Sequence, residues 1–233
     1  MNYDLLSSIG LELSQNEKQQ FDKYIAIFKN YNSHTNLISR NDEKVLFEKH
    51  IYDSLAFNLF AKKYKIPENI MDIGTGGGFP SVPVSLIFKN TKIYAVDSTS
   101  KKINFINEVK KQLNIENIMP VVSRIEELPE ENKTSFDVVT SRALGTLSLL
   151  LEYAIPYLKV GGYFVAYKSV DSDNELMTAK NAMKVLHAEL IDVIEYKLPL
   201  EINFCRKLLI FKKVEDTPFQ YPRKYNIIKN NPL

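Results

Sequence analysis

A chain of 233 residues with 45% hydrophobic and 11% aromatic side chains can bury one sizeable core, and 25% charged residues with only ten prolines and eight glycines exclude a disordered, collagen-like or low-complexity polymer. The single cysteine, Cys205, excludes an internal disulfide framework and a cysteine-based zinc cluster, and His34, His50 and His187 are too scattered to suggest a metal site. The net charge is only +2, but from Arg206 onward seven basic residues outweigh Glu215 and Asp216 to give +5, which leaves −3 on the rest.

Met1–Gly10 carries Asp4 and lacks a basic start followed by an apolar stretch, and no run of about eighteen apolar residues occurs anywhere. Neither export nor membrane spanning is expected, and a reducing cytoplasm fits best. Ser14 followed by Glu17 is a capping-box pattern that opens a helix with Phe21, Tyr24, Ile25, Phe28 and Tyr31 on one face. A second helix is predicted from about Asp42 to Ala61, with Val45, Leu46, Tyr52, Leu55 and Leu59 among its apolar positions. Both stripes read as core packing. His50 and Asp53, three apart on the second helix, share a face and read as a helix-to-domain contact.

After Pro67, short apolar runs alternate with helical stretches, which predicts an α/β fold with a mostly parallel sheet covered on both faces. The strand candidates are Ile70–Ile73, Lys92–Val96, Ile118–Val122, Phe136–Thr140, Tyr163–Tyr167, Ile191–Lys197 and Lys207–Phe211. Helices are predicted at Phe79–Phe88, Ser100–Leu113, Thr146–Leu158 and Asp173–Glu189, with Gly161 and Gly162 supplying a left-handed helix end and the turn into the next strand. The last two strands have only Leu198–Arg206 between them, short enough for an antiparallel hairpin at the sheet edge. The expected organisation is a helical extension over 1–65, a core over 66–215 and a basic tail over 216–233. That tail fits either docking on a polyanion or a solvated surface segment.

Four of the eight glycines fall in Asp72-Ile73-Gly74-Thr75-Gly76-Gly77-Gly78-Phe79-Pro80, between a strand and a helix. Such a turn lets backbone approach a ligand closely and aims free amides at it. A dinucleotide fingerprint would place a small residue where Phe79 stands, which weakens a nicotinamide reading. Asp97 ends the second strand about twenty residues later, where a carboxylate can accept two hydrogen bonds from a ribose diol. Strand, turn, helix, strand and terminal Asp in this order predict a nucleoside site.

These residues resemble the S-adenosylmethionine signature of class I methyltransferases. Gly78-Phe79-Pro80, Asp97-Ser98-Thr99-Ser100-Lys101, Ser123-Arg124-Ile125-Glu126 and Ser141-Arg142-Ala143 are similar to segments of the RsmG (GidB) family, guanine-N7 methyltransferases of small-subunit ribosomal RNA. His50-Ile51-Tyr52-Asp53-Ser54-Leu55 and Tyr221-Pro222-Arg223-Lys224 are also similar, so the likeness covers nearly the whole chain. It implies the class I, Rossmann-like fold, with a seven-stranded sheet, helices on both faces and an N-terminal helical extension. It further implies S-adenosylmethionine as cofactor, S-adenosylhomocysteine as product, and no metal.

By matching position, Gly74, Gly76 and Phe79 would line the methionine and adenosine pocket. Asp97, Ser98 and Thr99 would hold the ribose and adjoining adenine edge, Ile125 and Glu126 would flank the adenine, and Arg142 would lie by the methionine end. The implied substrate is a guanosine in the 530-loop region of 16S ribosomal RNA, in the small subunit or free, for a monomeric cytoplasmic enzyme. The tail departs from the family: after Lys224 the chain reads Tyr225-Asn226-Ile227-Ile228-Lys229 in place of a Gly/Pro-containing basic run.

The inventory agrees with that acceptor. Thr140-Ser141-Arg142-Ala143-Leu144 stands where exocyclic-amine methylation would need an Asp/Asn-Pro-Pro-aromatic motif, and Cys205 is far in sequence from the cofactor turns, which leaves it a packing role rather than that of a nucleophile on pyrimidine carbon five. Guanine N7 carries no proton, so no general base is required. A cation against N7 would compete for its lone pair, which assigns Arg142, Lys168 and Lys101 to O6, phosphate or the cofactor carboxylate as positioning groups. Lys168 and Lys101 could equally be solvated. Arg142→Ala is expected to lower transfer far more than stability. Methyl transfer to a small molecule and a non-catalytic nucleoside-binding assembly factor are the alternatives.

Overall fold

The computed structural model describes residues 1–169, 172–200 and 205–233. Helix α1 (Gln15–Thr35) begins with the expected box: the Ser14 hydroxyl accepts from the Glu17 amide, and a Glu17 carboxylate oxygen accepts from the Ser14 amide at 2.8 Å. Phe21, Tyr24, Ile25 and Phe28 are buried along it, while Tyr31 is only half-buried.

The single helix expected over Asp42–Ala61 is broken instead. The chain forms α2 (Arg40–Lys44), a π-helical turn (Phe47–Ile51), α3 (Tyr52–Leu55) and α4 (Phe57–Tyr64). The wide turn leaves carbonyls of Lys49 and His50 facing an arginine from the sheet, a tertiary demand that apolar spacing does not encode.

Among the described residues seven strands form one sheet: β1 (Asn69–Ile73), β2 (Lys92–Asp97), β3 (Ile118–Val122), β4 (Phe136–Arg142), β5 (Leu158–Ser169), β6 (Ala188–Lys197) and β7 (Cys205–Lys213). Their order is β3-β2-β1-β4-β5-β7-β6, with β7 antiparallel to both its neighbours and the other pairs parallel. The β6–β7 hairpin is thus present, although residues 201–204 of its connection lie outside the described residues. Neighbouring strand residues alternate between two cores: Ile70, Val138, Val165 and Ile210 join one cluster, and Met71, Val139, Phe164 and Phe211 the other. The first cluster is completed by α1, α4, α5 (Ser81–Ile87) and α6 (Ser100–Leu113). The second is completed by α7 (Leu147–Ala154), α9 (Lys180–Leu186) and the C-terminal Tyr221 and Ile228.

Further boundaries differ from the sequence expectation: α7 ends at Ala154, short of Leu158, and β5 begins at Leu158, five residues before the expected Tyr163. Gly161, with φ +85°, and Gly162 sit inside β5 beside a register shift against β4, so they make a bulge rather than a helix end. The helix expected over Asp173–Glu189 is two, α8 (Asp173–Thr178) and α9, ended by His187 in left-handed conformation (φ +57°), and β6 therefore starts three residues early, at Ala188.

Candidate active site

The loops at the carboxyl ends of β1, β2, β3 and β4 enclose a cavity of about 330 Å³ lined by Gly74, Asp97, Ser98, Thr99, Ile125 and Glu126, together with Lys102, Arg124, Leu144, Leu149, Tyr153 and Tyr225. Six of the nine expected cofactor residues are therefore brought together. Gly76 supports the same site from behind: its amide donates to Asp97 Oδ2 at 3.0 Å. Its φ of +58° suits glycine, and its open face has only the Gly74 carbonyl near it, at 3.9 Å.

Asp97 is pinned further by the Thr99 amide on Oδ1 (2.9 Å) and by Lys102 on Oδ2 (3.2 Å). Below the turn, Asp72 is fully buried. Ser81 donates to Asp72 Oδ2 and shares a 2.7 Å hydrogen bond with Thr75, whereas Asp72 Oδ1 has no partner. Burial pushes the Asp72 carboxyl up to about 6, against the opposing effect of the Ser81 hydrogen bond.

Arg142, at the end of β4, lies in a second cavity of about 320 Å³, with Lys49, His50, Asp53, Ala143, Tyr167, Lys168, Ser169, Glu175 and Arg206. Its Nη1 donates to Asp53 Oδ2 at 2.9 Å, and its Nη2 donates to His50 Nδ1 at 2.7 Å. Asp53 Oδ1 also accepts from Tyr196 at 2.6 Å. His50 and Asp53 thus join the helical extension to β4. Because Nδ1 is the acceptor, the His50 proton sits on Nε2, and burial, reinforced by the Arg142 charge, lowers the ring to about 3. His50 is neutral at physiological pH.

Lys168 also lines this second cavity, where it is tied to Glu175 at 2.7 Å and donates to the Gly145 carbonyl at 2.9 Å. It thereby anchors the loop that follows β4. Phe79 lines neither cavity: it is buried between Phe28, Tyr24 and His50, with the Arg142 guanidinium 5.1 Å from its ring centre. Lys101 is exposed at the start of α6 and lines neither cavity. Sequence reasoning missed Leu144, Tyr153 and Tyr225, which reach the first cavity from distant segments with no periodic signal. No helix among the described residues is long and apolar enough to cross a membrane, and no group of His, Cys, Asp or Glu among them could hold a metal ion.

A family model described as "GidB: rRNA small subunit methyltransferase G" matches residues 17–204. A protein of Acholeplasma laidlawii named ribosomal RNA small subunit methyltransferase G is 40% identical over 237 residues, covering all of both chains. One of the same name from Staphylococcus saprophyticus is 38% identical over 229 residues, covering 98% of this chain and 95% of that protein. Among solved structures, M. jannaschii TYW2 in complex with AdoMet superposes with a TM-score of 0.52 at 17% identity, over 63% of this chain and 69% of that one. A 16S rRNA (adenine(1408)-N(1))-methyltransferase mutant from Catenulisporales acidiphilia gives 0.54 at 15% identity, over 65% and 87%. These two likenesses concern the fold, which is that of class I methyltransferases. Full-length similarity at this level, together with the match over 17–204, places the chain in the GidB family of small-subunit ribosomal RNA methyltransferases.

Proposed function

We propose that this protein transfers a methyl group from S-adenosylmethionine to N7 of a guanosine in the 530-loop region of 16S ribosomal RNA, acting in the cytoplasm. The observation that carries the reading is the placement of two cavities on either side of one loop: Arg142 and Ala143 face one, and Leu144 faces the other. A cofactor in the first and a nucleotide in the second would meet across the end of β4.

The first cavity fits a sulfonium nucleoside. Asp97 Oδ1 has one acceptor position open for a ribose hydroxyl, and a second opens if Lys102, whose side chain is 38% exposed, swings aside. Ile125 supplies an apolar contact for a purine, and its carbonyl is held by the Tyr157 hydroxyl. When bound, the cofactor supplies an electrophilic methyl carbon.

The chain's own work is then positioning. The second cavity carries four cationic side chains, Lys49, Arg142, Lys168 and Arg206, against the carboxylates of Asp53 and Glu175, a balance that favours a phosphate-bearing partner. His50, held neutral, keeps one more positive charge away from a purine that becomes cationic during transfer. No proton has to leave N7, so holding the base in line at near-attack distance is the main contribution, worth several kcal/mol in general. The test is labelled cofactor offered to small ribosomal subunits, naked 16S rRNA and metabolite extracts in parallel. Label confined to RNA supports the proposal, and label in metabolites alone refutes it.

A further inference from the structure

The C-terminal segment lies outside the seven-stranded sheet, yet it is fastened to the second core at several points. Arg223 Nε donates to Glu152 Oε1 at 2.7 Å, its Nη2 to Oε2 at 2.6 Å, and its backbone amide to Oε1 at 3.0 Å. Glu152 lies on α7 and is completely buried. A carboxylate there needs a paired cation, so the tail is a required part of the fold. Tyr221 and Ile228, either side of that clamp, are buried in the same cluster as Leu147, Leu150 and Leu151 of α7.

The next residue of α7, Tyr153, faces the first cavity, as does Leu149 one turn earlier. The helix that grips the tail therefore also lines the cofactor pocket. Between the tail's two buried anchors stands Tyr225, 37% exposed, which lines that cavity beside Ile125 and Glu126. The Arg124 guanidinium lies 5.3 Å from its ring centre and is itself part of the lining.

We propose that Tyr225, braced by Arg124, forms the outer wall of the cofactor pocket and retains the adenine end of the bound nucleoside, so that the tail is a cofactor-binding element. The inference rests on reading that cavity as the cofactor site. Ring and guanidinium line the same cavity as Ile125 and Glu126, the residues placed for the purine, with the ring supplied by the tail rather than by a β-strand loop.

Tyr225→Ala removes an exposed side chain with no buried hydrogen bond, so the fold is retained. Calorimetry with S-adenosylmethionine and the full-length protein should show about tenfold weaker binding, the scale expected for one aromatic contact to a base, while Tyr225→Phe stays close to wild type. In parallel, bound cofactor should slow tryptic cleavage after Lys224 and Lys229 in the wild type. Unchanged affinity in Tyr225→Ala, with Asp97→Ala weakened as a control, overturns the tail's role but leaves the pocket intact. So does weakened binding to ribosomal subunits with unchanged cofactor affinity, the pattern of a tail that serves RNA alone. A wild type that does not bind the cofactor overturns both the pocket and the tail.

Discussion

Arg142 on β4 and Asp53 on α3 form an ion pair of 2.9 Å with only 14% and 6% of their side chains exposed. The guanidinium also bonds to His50, so each partner of the pair is supplied by a different layer of the fold. This pair fixes the N-terminal helices to the carboxyl edge of the sheet, beside the cavity proposed for the acceptor.

Those contacts revise the expectation that Arg142→Ala lowers transfer far more than stability. Removing the arginine leaves the buried Asp53 carboxylate dependent on the Tyr196 hydroxyl and the more distant Arg206 guanidinium at 4.0 Å, a loss of about 3 kcal/mol. In a chain of this size that lowers Tm by on the order of 10 °C. Urea unfolding and single-turnover transfer, measured on the same preparation, should show both losses. A variant as stable as wild type would contradict the structural role.

Asp97→Ala should weaken cofactor binding by about 1–3 kcal/mol, through the lost ribose acceptors. The Gly76 and Thr99 amides lose their acceptor as well, so the turn itself becomes less ordered. Calorimetry that returns wild-type affinity would show that the ribose lies elsewhere.

Gly74→Ala tests the close approach at the first turn. The new Cβ would stand 2.6 Å from Leu144 Cδ1, at a φ of +69°. The backbone cost is about 1 kcal/mol, and Leu144, a flexible and partly exposed neighbour, absorbs the clash by turning aside. Because Leu144 lines the cavity proposed for the cofactor, affinity should fall about tenfold for a small change in Tm. A large loss of stability with unchanged affinity would contradict this.

Much of the fold was legible because both sheet faces are buried and the strands read as short apolar runs. The glycine turn and Asp97 were legible as neighbours at one sheet edge, because positive φ at Gly74, Gly76 and Gly78 draws glycine and Asp97 ends the strand paired with β1. Phe79 was not, since its motif position marks it as a pocket residue while Phe28 and His50 claim it for the core. Tyr225 was invisible for the opposite reason: its place follows from the Arg223–Glu152 clamp, whose two members lie 71 residues apart.

His50 and Asp72 should impose opposite pH dependences on stability. For His50 the folded value, about 3, lies below the ordinary 6.5, so the unfolded chain binds more protons between these limits and stability is lost as pH falls through them. For Asp72 the folded value, about 6, lies above the ordinary 3.8, so its contribution is fully present below 3.8 and is lost as pH rises to 6. Each slope approaches about 1.4 kcal/mol per pH unit, and the two nearly cancel between pH 4 and 6. Asp72→Asn should thus be more stable than wild type at pH 7.5, with the gap closing towards pH 4 in denaturant titrations. A gap that widens in acid would contradict the assignment.

Mapping N7-methylguanosine in 16S ribosomal RNA through chemical strand scission at the modified base, in cells with and without this protein, decides whether the acceptor is the proposed one. One scission site in the 530-loop region, present with the protein, absent without it and restored by purified enzyme and S-adenosylmethionine, is the predicted result. An identical scission pattern in both RNAs would contradict the account.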